Sequence, residues 1–227
     1  MIWYVDIEHD KALADPKRAP DFTRVREERA QISGEAAGVP CEPVLYRQVS
    51  SALAKEKRVS AIVISGNTTD WIDYDFATFQ PLFDLIHSGD VAVIGLCGGH
   101  QLLALMDGGT CDAIRPLAPG EADMGNFAPG WFKEVGFLPV QVIQPDPLFD
   151  GLGASISLFE SHYWEIKQVP QGYDVLASSR DVRVQVIRHR ELPVYGTQFH
   201  PEVNYGGNTN GFRLLQNFFR FTGVRKD

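Results

Sequence analysis

Residues 91–101 read VAVIGLCGGHQ, and this stretch decides the fold. Its first four residues are apolar and mostly β-branched, which predicts a buried strand. Residues 102–106, LLALM, are good helix formers. Cys97 therefore stands at the corner between a strand and a helix, where free backbone N–H groups and the positive end of the helix dipole favour its thiolate. The pattern indicates a nucleophilic cysteine on a strand–turn–helix elbow.

Cys97 also has a structural interpretation, because most single cysteines in proteins are small buried hydrophobic residues. We apply that interpretation to Cys41 and Cys111. The glycines beside Cys97 favour a functional role instead. A glycine within a helix costs about 1 kcal/mol relative to alanine, so several together indicate that the backbone approaches another group closely.

The first half of the sequence alternates strand-like and helix-like segments. Apolar runs predict strands over residues 2–7, 44–49, 59–65 and 91–96, and amphipathic runs predict helices over residues 21–37, 50–57, 76–87 and 98 to about 106. This alternation is typical of an α/β fold with a parallel sheet and crossover helices.

The second half is richer in strands. Residues 120–131 are rich in proline, glycine and acidic side chains, which predicts a loop. Short strands are predicted over residues 135–143, 155–160, 173–177, 183–188 and 194–199, and an amphipathic helix over residues 212–221. Strands at this spacing indicate an antiparallel extension of the sheet. Because no linker divides the sequence, we expect a single domain over residues 1–227.

The composition argues against several classes of function. The 227 residues carry 29 acidic side chains against 21 Lys and Arg, a net charge of −8, which disfavours a nucleic-acid partner or an anionic membrane surface. No apolar stretch reaches the ~20 residues that cross a bilayer. Three widely spaced cysteines make no disulfide framework and indicate a reducing cytoplasm. The cysteines and histidines also lack the spacing of metal ligands, so no metal is expected.

A cysteine nucleophile needs a base, and the base usually needs an orienting group. Among the six histidines, His200 ends a predicted strand and is followed two residues later by Glu202. In extended backbone, residues two apart point to the same side, so Glu202 can reach one imidazole nitrogen while the other meets Cys97. The alternative is a surface His–Glu pair at a strand end. We expect His162 to lie in a loop and His100 to point away from Cys97.

Several stretches together resemble the class I glutamine amidotransferases, which use a Cys-His-Glu triad. Residues 95–101, GLCGGHQ, resemble the Gly-x-Cys-x-Gly-x-Gln elbow of that family, and residues 198–202, QFHPE, resemble its second signature. Further matches are the Glu-x-Gly strand start at residues 134–136, the Ser-His pair at residues 161–162 and the final helix at residues 209–218. The resemblance implies a three-layer, flavodoxin-like sandwich with a mainly parallel central sheet between helices.

The resemblance also implies hydrolysis of the side-chain amide of glutamine, with no cofactor. Cys97 would attack the amide carbonyl and form a γ-glutamyl thioester, His200 would act as acid and base, and Glu202 would orient His200. The implied oxyanion donors are the N–H group of Gly98 and one N–H group from the loop at Asn67. The implied substrate-binding residues are Gly66, Gln101, Ser161 and His162.

The sequence departs from the family pattern in one loop. The family usually has Gly-Gly-Pro after the strand predicted over residues 59–65, whereas this chain has Gly66-Asn67-Thr68. Asparagine tolerates left-handed backbone better than most non-glycine residues. We therefore expect Asn67 to present its amide from such a conformation, in a loop that lacks the stiffening proline.

Three functions remain open from the sequence. The first is a glutaminase that supplies ammonia to a separate synthase partner, because the chain contains no phosphate-binding loop of its own. The second is a stand-alone hydrolase of γ-glutamyl amides or peptides, with residues 120–131 shaping the pocket. The third is a non-catalytic regulatory relative, against which the intact triad residues argue.

Overall fold

The first half of the chain alternates strands and helices, as its apolar pattern predicts. The computed structural model describes residues 1–203 and 206–226. In chain order the first elements are β1 (Ile2–Asp6), α1 (Asp10–Leu13), α2 (Ala19–Ala37), β2 (Cys41–Leu45), α3 (Ser51–Lys57), β3 (Ala61–Ile64), α4 (Gln80–His87), β4 (Ala92–Leu96) and α5 (Gly98–Met106). The four strands pair in parallel, which requires the crossover helices between them.

The second half supplies the rest of the sheet. Its elements are β5 (Thr110–Ala113), β6 (Glu134–Val142), β7 (Ser155–His162), β8 (Trp164–Gln168), β9 (Tyr173–Ser178), β10 (Val186–His189), β11 (Val194–Thr197) and α6 (Asn210–Phe221). The nine-stranded sheet has the order β2-β1-β3-β4-β11-β10-β9-β6-β7. β11 lies parallel to β4, whereas β10, β9, β6 and β7 continue the sheet with antiparallel pairing. The predicted antiparallel extension is thereby confirmed.

Helices cover both faces of the parallel half of the sheet. Successive β1 residues point to opposite faces, so Trp3 and Ile2 belong to different apolar clusters. The Trp3 cluster includes Leu82 of α4 and Leu102 of α5, and the Ile2 cluster includes Phe218 of α6 together with residues of α2. The predicted three-layer α/β sandwich is confirmed. No helix in the described ranges is long and apolar enough to cross a membrane.

The ends of several elements differ from the predicted ones. α2 begins at Ala19 with a proline in its first turn, where a missing N–H group does no harm. The predicted helix over residues 76–87 is a 3-10 turn, Phe76–Phe79, followed by α4. The predicted strand over residues 183–188 begins only at Val186.

The strand predicted over residues 44–49 is wrong beyond Leu45. A 3-10 turn over Tyr46–Gln48 follows β2, and the Leu45 N–H group donates to the Gln48 side-chain oxygen at 3.2 Å. This local bond replaces a sheet partner, which β2 lacks on its outer side because it is an edge strand.

Two features around residue 164 differ from the sequence prediction. β5 and β8 form a separate antiparallel ribbon, although neither has an apolar run long enough to announce a strand. The expected loop position of His162 is wrong, because His162 is the last residue of β7 and pairs with Glu134 of β6. Residues 120–131 contain no helix or strand, in agreement with the predicted loop.

Candidate active site

Cys97 stands on a strained corner between β4 and α5. Its backbone angles are φ 49° and ψ −102°, a conformation that non-glycine residues rarely adopt. The Cys97 N–H group donates to the Thr197 carbonyl of β11 at 2.7 Å, which fixes the corner to the neighbouring strand. The predicted elbow is therefore present.

The glycines around Cys97 serve close backbone approach, as their clustering predicts. A Cβ atom on Gly98 would lie 2.0 Å from Oδ1 of Asn67, and one on Gly99 would lie 2.6 Å from the Ile64 carbonyl oxygen. A Cβ atom on Gly95 would lie 2.5 Å from the Gly99 carbonyl oxygen. Any side chain at these positions would push the elbow away from β3 and its loop.

The sheet brings the second signature to the same edge. β4 and β11 are parallel neighbours in register, with Leu96 opposite Thr197. Cys97 directly follows β4, and His200 lies three residues beyond β11. Both therefore lie at the carboxyl edge of the parallel strands, where ligands bind in open α/β sheets.

His200 links the nucleophile to Glu202. Its Nδ1 atom is 2.8 Å from Oε1 of Glu202, and the imidazole also hydrogen-bonds the thiol of Cys97. The backbone between His200 and Glu202 is a turn, with the Val203 N–H group bonded to the His200 carbonyl at 3.1 Å. The expected contact is present, but the turn rather than extended backbone makes it.

The pair is charged in buried surroundings. Burial alone would lower the pKa of His200, but interactions with Glu202 and Cys97 outweigh burial and raise that pKa well above its ordinary value. Burial also opposes ionisation of Glu202, yet His200 and Arg29 bring the pKa of Glu202 below its ordinary value. At neutral pH His200 therefore carries a proton that it can donate.

The other two thiols are chemically different. Cys41 and Cys111 are unpaired, and burial raises the pKa of each to about 12. At neutral pH both are thiols, so neither is activated for nucleophilic attack.

The loop after β3 lies against the elbow. A Cβ atom on Gly66 would lie 3.4 Å from Cβ of Cys97 and 3.2 Å from Cε1 of His200, so only hydrogen leaves room there. Asn67 has no positive φ angle, and the left-handed backbone expected for it is wrong. The buried carboxylate of Glu8 holds this loop by accepting hydrogen bonds from the Thr68 N–H group at 2.7 Å and the Thr69 hydroxyl at 2.9 Å.

Two cavities meet at Cys97. The larger, about 730 Å³, is also lined by Asn67, Gln101, Ser161 and His162, together with aromatic residues. The smaller, about 250 Å³, contains His200, Glu202 and Gly66. The nine residues singled out from the sequence thus surround one crevice, with Gly98 packed against Asn67.

Gln101 is engaged by protein groups. Its Oε1 atom accepts from the Trp71 indole at 2.9 Å, and its Nε2 atom donates to the Trp164 carbonyl at 3.2 Å and to Oε1 of Gln198 at 3.1 Å. Substrate binding by Gln101 remains a prediction, because its amide has these partners already.

A second buried histidine borders the larger cavity. Nδ1 of His162 donates to the Trp164 carbonyl at 2.8 Å, and Nε2 is 3.1 Å from carboxylate oxygens of both Glu134 and Glu160. Burial alone would lower the pKa of His162, but hydrogen bonds to the two carboxylates outweigh burial and raise it to about 10. His162 is therefore an imidazolium fixed beside the nucleophile.

This cluster also has the residue types of a metal site. The donor atoms of Glu134, Glu160 and His162 lie within 4.8 Å of one another. Both ring nitrogens of His162 face acceptors, and Glu134 already accepts from Ser179 at 2.5 Å and from Gln185 at 2.7 Å. The imidazolium supplies the positive charge that these carboxylates need, so the arrangement fits a proton better than a metal ion.

Sequence patterns miss three residues of the site. Glu8 follows β1 at the carboxyl edge of the sheet, and a polar residue after a buried strand is the available signal. Glu160 lies at the end of a predicted strand, and the sequence identifies no charge partner for it. Gln198 belongs to the second signature, but local pattern assigns no role to its amide.

The fold and the site define a class of α/β enzymes in which a cysteine on a strand–helix elbow faces a histidine–carboxylate pair. The chain belongs to the glutamine amidotransferase class-I family, whose model matches residues 31–221.

Named relatives are components of one kind of enzyme. The chain is 34% identical over 136 residues to the glutamine-hydrolysing subunit of GMP synthase from Methanothermobacter thermautotrophicus, which covers 60% of this chain and 63% of that protein, less than two thirds of its length. It is 35% identical over 186 residues to the Methanopyrus kandleri protein of the same name, covering 82% of this chain and 87% of that protein.

Solved structures share the fold. A candidate GMP synthase subunit from Thermoplasma acidophilum superimposes with a TM-score of 0.70 at 24% identity, covering 98% of this chain and 94% of that chain. A glutamine amidotransferase from Methylobacillus flagellatus gives a TM-score of 0.57 at 20% identity, covering 89% of this chain and 70% of that chain.

Proposed function

We propose that this chain hydrolyses the side-chain amide of glutamine, with Cys97 as nucleophile, His200 as acid and base, and Glu202 as the residue that orients His200. One observation carries the proposal. The three side chains form a hydrogen-bonded series at the carboxyl edge of the parallel strands, open to a cavity. Membership of the glutamine amidotransferase family supplies the substrate.

The first half-reaction releases ammonia. The Cys97 sulfur attacks the amide carbon, a C–S bond forms, and the carbonyl electrons move onto oxygen. The backbone N–H groups of Gly98 and Asn67 are the proposed donors to this oxyanion, and removal of one such donor typically costs ~10²–10³ in rate. His200 then gives its proton to the departing nitrogen, the C–N bond breaks, and a γ-glutamyl thioester remains.

The second half-reaction releases glutamate. His200, now neutral, takes a proton from water, and the resulting hydroxide attacks the thioester carbon. The C–S bond breaks, sulfur leaves as thiolate, and the imidazolium is restored. Glu202 stabilises the imidazolium at both ends of the cycle, which explains why it is buried against His200 rather than exposed.

The direct test measures ammonia and glutamate released from glutamine. Cys97→Ala should remove the activity, and Glu202→Gln should lower kcat by at least ~10²-fold, because the base loses its orienting charge. An alkylating glutamine analogue should label Cys97 and nothing else, and Cys41→Ala is the matched control that should label normally. Labelling at another residue, or none at all, would refute the proposal.

The named relatives support a finer proposal for the fate of the ammonia. Because they are glutamine-hydrolysing subunits of GMP synthase, we infer that this chain passes ammonia to a separate synthase partner that makes GMP. Apolar side chains near the larger cavity offer a docking surface: Ile72, which adjoins Trp71 of the cavity wall, is 92% exposed, and Met124 is 52% exposed. All three cysteines are unpaired, which supports a reducing cytoplasm as the compartment.

Reconstitution tests the partner. Adding the synthase partner from the same organism should raise glutamine hydrolysis and allow GMP formation from glutamine in place of free ammonia. Full-speed hydrolysis by the chain alone, without stimulation by that partner, would contradict the partnership while leaving the amidase chemistry intact.

One observation favours a second candidate function, a stand-alone γ-glutamyl hydrolase. The larger cavity has aromatic walls, formed by Trp71, Phe127, Tyr163 and Trp164, which suit a bulky amine leaving group. A panel of γ-glutamyl amides decides between the candidates: a kcat/KM for an aromatic γ-glutamyl amide well above that for glutamine would favour the second, and a preference for glutamine would reject it.

A further inference from the structure

Two buried amides connect the wall of the larger cavity to the nucleophile. The Trp71 indole N–H group donates to Oε1 of Gln101 at 2.9 Å. Nε2 of Gln101 donates to Oε1 of Gln198 at 3.1 Å. Nε2 of Gln198 donates to Sγ of Cys97 at 3.6 Å. All four side chains are buried, and Gln198 has no exposed surface.

The direction of this series is determined at the end remote from the sulfur. An indole N–H group can only donate, so Oε1 of Gln101 must face Trp71. The Nε2 group of Gln101 then faces the other way, where the Trp164 carbonyl, which can only accept, agrees with it. Gln198 must present Oε1 to Gln101, and its Nε2 group is left facing the sulfur of Cys97.

We propose that Gln198 is a catalytic residue that donates a hydrogen bond to the Cys97 sulfur, and that Trp71 and Gln101 are positioning residues that fix the direction of this bond. The proposal rests on the proposed role of Cys97 as nucleophile. We call Trp71, Gln101 and Gln198 the amide relay.

Gln198 and His200 contact the sulfur from one strand end. They are two residues apart beyond β11, a spacing that places side chains on the same side of extended backbone. His200 exchanges its proton during the reaction, whereas the amide of Gln198 keeps its protons throughout. The sulfur therefore retains one donor while His200 is neutral.

This permanent donor matters most when sulfur leaves. An N–H group bonds a thiolate much more strongly than the sulfur of a thioester, because hydrogen bonds to ionised acceptors are the stronger ones. The bond thus favours breakage of C–S in the second half-reaction, when His200 has just protonated and is re-forming its contact. A reversed Gln198 would instead present oxygen lone pairs to the thiolate and repel it.

The pH dependence of Cys97 alkylation by iodoacetamide tests the proposal without glutamine turnover. Gln198→Met keeps the length of the side chain and removes the donor, so the midpoint of the rate profile should rise by about one to two pH units. Trp71→Phe removes only the orienting N–H group, and a smaller rise in the same direction is expected. Trp164→Phe is the matched control, because Trp164 contributes only its backbone carbonyl to the relay, and its midpoint should equal that of the wild type.

Two results would overturn the proposal. One is a wild-type midpoint in folded Gln198→Met, with folding checked by circular dichroism and thermal unfolding. The other is an equal shift in Trp71→Phe and Trp164→Phe, which would mean that loss of an indole, not of direction, moves the profile. If Gln198→Met does not fold, the two tryptophan variants decide alone. Because alkylation reports on the sulfur only, the outcome is independent of whether the chain proves to be a glutaminase.

Discussion

Cys97 is held in a backbone conformation that it would not choose alone. Residues in such sparsely populated regions cost on the order of 1–3 kcal/mol each and persist only when their surroundings fix them. Here the surroundings are the bond to Thr197 and the tight packing of Gly98 against Asn67. The geometry of the nucleophile therefore depends on glycines that carry no chemistry themselves.

Gly98→Ala should disturb this corner more than an ordinary helix substitution. The new methyl group would meet Oδ1 of Asn67 at 2.0 Å, and overpacking of this kind costs typically about 1–3 kcal/mol. Urea unfolding and analogue labelling of Cys97 should both show the defect. Asn67→Gly in the same chain removes the clashing oxygen and should restore part of the stability; no recovery in the double variant would contradict the steric explanation.

His162 predicts a loss of stability at alkaline pH. Its folded pKa of about 10 lies above the ordinary value of 6.5, so its contribution is fully present below pH 6.5 and is lost as pH rises through about 10. The groups that face it are the carboxylates of Glu134 and Glu160 and the thiol of Cys97.

Urea unfolding between pH 6 and pH 10 measures this contribution. His162→Gln should lower the free energy of unfolding at pH 6–7 by on the order of 3–5 kcal/mol, because it leaves buried carboxylates without their cation, and the gap to wild type should close toward pH 10. His87→Gln, at an exposed position, is the control and should run parallel to wild type. A gap that stays constant with pH would exclude the imidazolium.

At the scale of elements, α6 supports the strand that leads to His200. Phe218 of α6 is fully buried and packs edge-on against Tyr195 of β11, with ring centroids 5.9 Å apart. The helix thus fixes β11 from below the sheet, on the side away from the Trp3 cluster.

Phe218→Ala should lower the free energy of unfolding by about 3–5 kcal/mol, the range for truncating a buried phenylalanine. Phe221→Ala, on the same helix but 37% exposed, is the matched control and should cost clearly less. Chemical unfolding of both variants provides the comparison, and equal losses would show that α6 does not pack as described.

Elements whose identity comes from local pattern are predictable. β1, β3 and β4 are apolar runs buried on both faces, and Phe218 belongs to a regular apolar stripe. β5 and β8 are not predictable, because each is partly exposed and is specified by the other. Register between distant segments is a tertiary property that no local window contains.

The site divides in the same way. The nucleophile, base and orienting carboxylate follow from two short motifs, whose chemistry requires those residue types at those spacings. The direction of Gln198 and the charge of His162 do not, because each depends on partners from several strands and loops: Trp71 in one case, Glu134 in the other. Hydrogen-bond direction in particular needs the identity of the farthest partner.

At the scale of the molecule, one sheet joins both halves of the chain. β4 from the first half pairs with β11 from the second, and apolar clusters cover both of its faces. We therefore infer that residues 1–227 form a single domain. Far-ultraviolet circular dichroism and tryptophan fluorescence should report one coincident unfolding transition; two separated transitions would show two independent units.

The pairing of β4 with β11 makes the catalytic spacing independent of the covalent path between the two motifs. Hydrogen bonds between neighbouring strands hold Cys97 near His200, and the long intervening segment contributes no length to that gap. Evolution or design can therefore lengthen an outer hairpin, for example at Gly153, where no other atom lies within 4 Å of an added Cβ, and keep the chemistry unchanged. This arrangement frees the distal edge of the molecule to diversify for new associations while its reactive centre stays constant.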